Sequence, residues 1–280
     1  MQKILVPTDF SATAMKAVTY AAEIAQKTGA TIFLLHAMER ATDTILEPLA
    51  FDIKGQEEFV NERLRLLDTL QKSVAQIYPG IKIETELTKG TVISSILDFA
   101  EGQQVDLIVM GTTGASGLKE FFMGSVAAGT IGKTKIPVLT VPCSYEMEEP
   151  DGILFATSHF EENKNLLNPV VELAKLYGAV IHVAVFVEEE EALDYMRNVK
   201  RLNRYMEYLR ETFPGIKFKG EVLEGKDFEL TIDKYDNKNE LDMIAMITYP
   251  KNFLERLMKK SATKKMAFHS VIPLLAIPAK

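Results

Sequence analysis

A chain of 280 residues that is 47% apolar and 25% charged is long enough to bury one large core or two of ordinary domain size, and its composition excludes a fibre or a disordered polymer. Its formal charge of −7 argues against generic binding to nucleic acid or to an anionic membrane and is explained by solubility. The single cysteine, Cys143, excludes an intrachain disulfide and a cysteine-based zinc site, and it points to a reduced, cytoplasmic protein.

The chain enters a strand pattern at once, Lys3 to Pro7, with no charged-then-apolar leader and no apolar run near the ~18 residues that span a bilayer. Asp9 follows at the end of that strand, and Ser11 is suited to cap a helix. Ala14, Val18, Ala21, Ala22 and Ala25 then recur at helical spacing and mark one buried face. Further strands are expected over Thr31 to Ala37, Ile81 to Thr88, Asp106 to Met110 and Val138 to Val141, with helical segments between them. Short apolar strands alternating with helices predict an α/β, doubly wound domain around a mainly parallel five-stranded sheet.

A polar stretch from Cys143 to Pro150 reads as a linker, and beyond it the pattern starts again. Strands are expected near Ile153 to Thr157, Val180 to Val187, Lys217 to Leu223, Met243 to Thr248 and Leu274 to Ile277. Pro79-Gly-Ile-Lys82 recurs as Pro214-Gly-Ile-Lys217, Gly29-Ala30 as Gly178-Ala179, and Ile136-Pro-Val-Leu-Thr-Val-Pro142 as Ile272-Pro-Leu-Leu-Ala-Ile-Pro278. The chain is therefore a tandem repeat of two such domains, 1–147 and 148–280. The second copy is shorter in the middle, a change that loops and helix lengths tolerate well.

The fourth strand of the first copy runs into Gly111-Thr-Thr-Gly114, and nine residues later Gly124-Ser125 opens a helix near Val126. Glycines that admit close backbone approach, followed by a hydroxyl at a helix N-terminus, suit a phosphate cradle. In an open parallel sheet, ligands bind at the carboxyl ends of the strands, where both this loop and Asp9 fall. A glycine after a strand also serves a plain tight turn, and an aspartate before a helix is often only a cap. On Gly111, Gly114, Gly124 and Ser125, with Pro7-Thr8-Asp9-Phe10-Ser11 and Leu35-His36-Ala37, the chain resembles the ATP-binding branch of the universal stress protein family, over the whole of both halves.

The resemblance implies an adenine nucleotide alpha hydrolase-like fold and one ATP per chain, whose phosphates can carry Mg2+. It implies that Asp9 and the backbone of Ala37 contact adenine, with Pro7, Thr8 and Met110 beside them. Gly111 and Gly114 would lie along the ribose and phosphates. Gly124, Ser125 and the Val126 amide would hold the phosphates. It also implies pairing of the two halves through their final strands as an intrachain pseudo-dimer, which would cover two apolar edges. A homodimer of the whole chain is compatible with the sequence.

Other signals are structural. Gly129-Thr-Ile-Gly132-Lys133-Thr134 fails as a Walker A loop because position 127 is alanine and no strand precedes it. His36 has no nucleophile placed beside it and reads as a satisfied, partly buried side chain. His159, His182 and His269 lack metal-ligand spacing. In the second half Ile247, Pro250 and Lys260-Ser261 stand at the glycine positions and Ser158 at that of Asp9, so this half is not expected to bind ATP. The basic segment Lys251 to Lys265 reads as a solvated amphipathic helix or as an anion-binding surface. No Walker B carboxylate, base or arginine is placed for phosphoryl transfer. The sequence thus leaves a stress-response regulator that binds ATP with little or slow hydrolysis, a ligand-free scaffold, or a slow ATPase or nucleotidyl-transfer enzyme.

Overall fold

The computed structural model describes residues 1–38, 53–112, 124–188, 192–226, 231, 234–235, 239, 241–249 and 272–279. In the first half the elements are β1 (Lys3–Pro7), α1 (Ala12–Thr28), β2 (Thr31–Met38), α2 (Ile53–Ile77), β3 (Lys82–Lys89), α3 (Val92–Gly102), β4 (Leu107–Gly111), α4 (Ser125–Lys133) and β5 (Val138–Val141). The second half contributes β6 (Gly152–Ala156), α5 (Lys164–Tyr177), β7 (Val180–Glu188), α6 (Ala192–Thr212), β8 (Phe218–Gly225), β9 (Met243–Thr248) and β10 (Leu274–Pro278). All ten expected strands are present, with ends within two residues of the expected ones.

The strands form one sheet in the order β3-β2-β1-β4-β5-β10-β9-β6-β7-β8. Within each half every pairing is parallel. The halves meet where β10 runs antiparallel to β5, Leu275 opposite Leu139. At each sheet end the outermost strand is rich in exposed charge, Lys82, Glu84, Glu86 and Lys89 on β3 and Lys219, Glu221 and Glu224 on β8, which discourages pairing with another chain.

Alternate strand residues feed two cores. Ile4 and Val6 join Ala17, Val18, Ala21, Leu67 and Leu70 of α1 and α2 on one face, whereas Leu5 joins Ile96, Ala100, Ala127 and Ile131 of α3 and α4 on the other. The sheet is thereby covered on both sides, as doubly wound folds require. Helix α1 starts where the Ser11 hydroxyl accepts the Ala14 amide (3.2 Å) and stops at Gly29, whose φ of 73° gives the left-handed cap. Gly178 closes α5 in the same way, also at φ 73°. Asp106 and Asp242 do equivalent work at the other pole: each carboxylate accepts two backbone amides at the start of its half's first strand, at 2.6–2.9 Å.

Candidate functional site

The order β3-β2-β1-β4-β5 reverses direction between β1 and β4, so the connections leaving their carboxyl ends diverge and open a crevice there. A cavity of about 240 Å3 occupies it. Of the ten residues singled out from the sequence, Pro7, Thr8, Asp9, Ala37, Met110, Gly111, Gly124, Ser125 and Val126 all line this cavity, and Gly114 lies outside the described residues.

Past the end of β1 the chain makes a tight turn. The Thr8 amide still donates to the Leu35 carbonyl (2.8 Å), the Thr8 hydroxyl accepts the Phe10 amide (3.0 Å), and Asp9 Oδ1 accepts the Ser11 amide (3.0 Å). Phe10 sits at φ 64°, a left-handed conformation whose cost for a bulky side chain is of order 1–3 kcal/mol. Strand β2 runs three residues further than β1. Its Leu35 carbonyl faces β1, and its Met38 carbonyl faces β3, where it accepts the Gly90 amide (3.0 Å). Because successive residues of a strand turn their peptide groups to alternate edges, Ala37 presents its N–H and C=O on the β1 side, beyond the point where β1 has turned away. A donor and an acceptor therefore stand side by side at the cavity wall.

The opposite wall is the start of α4. The Gly124 amide donates to the Thr112 carbonyl, and glycine has no side chain to cap the amides of Ser125, Val126 and Ala127 that follow. These amides carry the positive end of the helix dipole. Asp9 is the one formally charged side chain among the described lining residues, so attraction for an anion comes from backbone there. Among the described residues no group of three or more His, Cys, Asp or Glu side chains is placed to hold a metal ion.

Gly111 has a reason that its sequence context did not reveal. A Cβ there would lie 2.6 Å from Thr13 Cγ2 and 2.9 Å from the Thr13 carbonyl oxygen. The missing side chain makes room for the first turn of α1, and with it for Ala14 at the cavity wall, before any ligand is considered. The lining residues that sequence reasoning did not assign to the site are Ala14, Leu35, Val92, Ile96, Thr112 and Ala127, mostly apolar; His36, read as a satisfied side chain and as part of the Leu35-His36-Ala37 match, lines the cavity too. Val92 and Ile96 carried a signal, an apolar pair four apart at a helix start, but every buried helix face carries the same one.

In the second half the matching turn differs. The Thr157 amide again donates to β7, at the Ala184 carbonyl (3.0 Å), but the positive φ, 53°, falls at Phe160, one position later than at Phe10, whose match is His159. Here α5 starts only at Lys164, capped by Asn163, and is 14 residues long against 17 for α1. Tyr205 donates its hydroxyl to the Glu161 carbonyl (2.7 Å), Tyr208 donates to that of Glu162, and Tyr249 donates to the Glu161 carboxylate. Burial, then the Glu161 carboxylate, push the Tyr249 hydroxyl well above its ordinary pKa and keep it a donor. His159 lies against the Tyr249 ring at 4.6 Å, and Cys143 is exposed and free. Pro250, Ser261, His269 and the basic segment Lys251 to Lys265 lie outside the described residues.

The sequence model of the universal stress protein family matches twice, over residues 1–142 and 151–278. The chain belongs to the universal stress protein family. The universal stress protein MJ0531 of Methanocaldococcus jannaschii is 32% identical over 145 residues, which cover 50% of this chain and 81% of that one. The universal stress protein YxiE of Bacillus subtilis is 32% identical over 146 residues, covering 50% of this chain and 97% of its own. A solved universal stress protein of Archaeoglobus fulgidus matches along the full length, covering 99% of this chain and 98% of its own, with a TM-score of 0.72 at 18% identity, and shows the same tandem fold. No helix among the described residues of this universal stress protein is long and apolar enough to cross a membrane.

Proposed function

We propose that residues 1–147 of this universal stress protein bind one adenine nucleotide, ATP, as a regulatory ligand that is hydrolysed slowly or not at all. Residues 148–280 form a second unit without that site, joined to the first as an intrachain pseudo-dimer through β5 and β10. The observation that carries the reading is the convergence on one cavity of the β1-facing edge of Ala37, the Asp9 turn and the α4 amides. The Ala37 N–H suits adenine N1 and its carbonyl suits the N6 amino group; guanine presents a donor and an acceptor in the reverse order. The α4 amides suit phosphate oxygens. Mg2+ would enter on the phosphates rather than through a set of protein ligands. Cytoplasmic residence fits such a ligand.

Equilibrium titration tests this. ATP is expected to bind and GTP to bind at least about tenfold more weakly, since a reversed pair leaves buried polar groups unmatched. Equal affinity for both would remove the assigned role of Ala37, and binding of neither would remove the site.

A further inference from the structure

His36 stands on β2 between the two features that the proposed nucleotide site needs, the β1-facing edge of Ala37 and the Asp9 turn. Its Nδ1 lies 2.8 Å from the Thr8 carbonyl oxygen. A carbonyl only accepts, so Nδ1 carries the proton and donates. Its ring also packs on Phe10, with centroids 4.7 Å apart. One side chain thus holds both ends of the strained turn that carries Asp9: Thr8 before it and Phe10, at φ 64°, after it. A bulky residue in the left-handed region stays there only when its surroundings impose the conformation.

The second half supplies an independent observation. The residue matching His36 is Val185, buried and without a hydrogen-bonding side chain. Positive φ falls one position later there, at Phe160, which matches Ser11, whereas His159 matches Phe10; this turn is gripped from α6, by Arg201 over the Phe160 ring (4.4 Å), by the Tyr205 ring (5.5 Å) and by the Tyr205 hydroxyl on the Glu161 carbonyl. Where the histidine is missing, other groups hold the turn, and its shape is different.

We propose that His36 is the positioning residue of the nucleotide site: by donating Nδ1–H to the Thr8 carbonyl and packing on Phe10, it fixes the Asp9 turn in register with the Ala37 edge. This rests on the reading of the cavity as an adenine site. It assigns His36 to the nucleoside end, so its loss weakens every ligand that carries adenosine by the same factor, whatever phosphates follow.

The test compares His36→Phe, which keeps a ring and removes the donor, with His36→Asn, whose side-chain amide places a donor close to the Nδ1 position. Dissociation constants are measured for ATP with Mg2+ and for adenosine, and thermal midpoints are recorded for each variant. His36→Phe is expected to weaken ATP and adenosine alike by about tenfold, the scale of one hydrogen bond, while His36→Asn stays within about threefold of the unmodified chain. Unchanged affinity in His36→Phe with an intact thermal transition overturns the inference. So does an equal loss in both variants, which would show that restoring the donor does not restore the site, or a loss confined to ATP. If the unmodified chain binds neither ligand, the nucleotide reading fails and this inference with it, whereas the other contrary outcomes overturn the role of His36 alone.

Discussion

The two halves of this chain share strand order, nearly the same strand ends and a left-handed glycine after the first helix, yet the turn after the first strand lines a cavity in one half and is held by Tyr205, Tyr208 and Tyr249 in the other. The difference is a helix start. Helix α1 begins at Ala12 and α5 at Lys164, while both end on a left-handed glycine, Gly29 and Gly178, at matching positions. Three residues that form the first turn of the helix in one half belong to the loop in the other. Thr13 packs its backbone against Gly111; its counterpart Glu162 lies in the loop and gives its carbonyl to Tyr208. The counterpart of Gly111 is Ile247, whose branched side chain would occupy the space that the first turn of α1 takes. The proposed loss of the site from the second half thus corresponds to a movement of backbone, with which the loss of one glycine is coupled.

The largest expected effect breaks that coupling from the first half. Gly111→Val sets side-chain atoms where Thr13 Cγ2 and the Thr13 carbonyl now lie, so it should displace the α1 start, abolish nucleotide binding and cost about 1–3 kcal/mol, the usual scale of overpacking. Calorimetric titration and denaturant unfolding read the two consequences. The converse variant, Ile247→Gly, restores the glycine but not the helix turn and should create no second site. Appearance of one would show that the side chain alone blocks it.

A smaller effect separates the halves by pH. Phe33 and Phe99 pack edge to face at 5.5 Å in the first half, and His182 and Tyr235 stand at the matching positions, with Nδ1 3.0 Å from the hydroxyl. Burial, and then the charge of Lys219, lower the His182 pKa below its ordinary value. The unfolded chain therefore takes up a proton that the folded chain refuses. Stability from this pair is present above about pH 6.5 and is lost as pH falls below it. Thermal midpoints at pH 7.5 and 5.5 should drop less for the double variant His182→Phe, Tyr235→Phe, which copies the first half, than for the unmodified chain. An unchanged drop would place the pH sensitivity elsewhere.

Much of the scaffold was legible because its causes are local. Strands such as Leu107–Gly111 are bounded apolar runs, Ser11 and Gly29 are strong start and stop residues, and the repeat carried the first half's pattern into the second. The candidate site was legible as a set of positions but not as a set of reasons. Gly111 was read as admitting a ligand, whereas its nearest constraint is the backbone of Thr13, a residue on another element. The later start of α5 leaves no gap in the alignment of the halves, and only Asn163, a good cap in place of Ser11, hints at it. The tertiary bond from His36 to the Thr8 carbonyl joins residues 28 apart, and no local pattern reports it.

The most direct test of the account is the stoichiometry of nucleotide binding to the intact chain, measured by calorimetric titration with ATP and Mg2+. One ATP per chain is predicted, bound by the half that contains Gly111, Gly124 and the β1-facing edge of Ala37. Two per chain would contradict the loss of the site from the second half, and none would contradict its presence in the first.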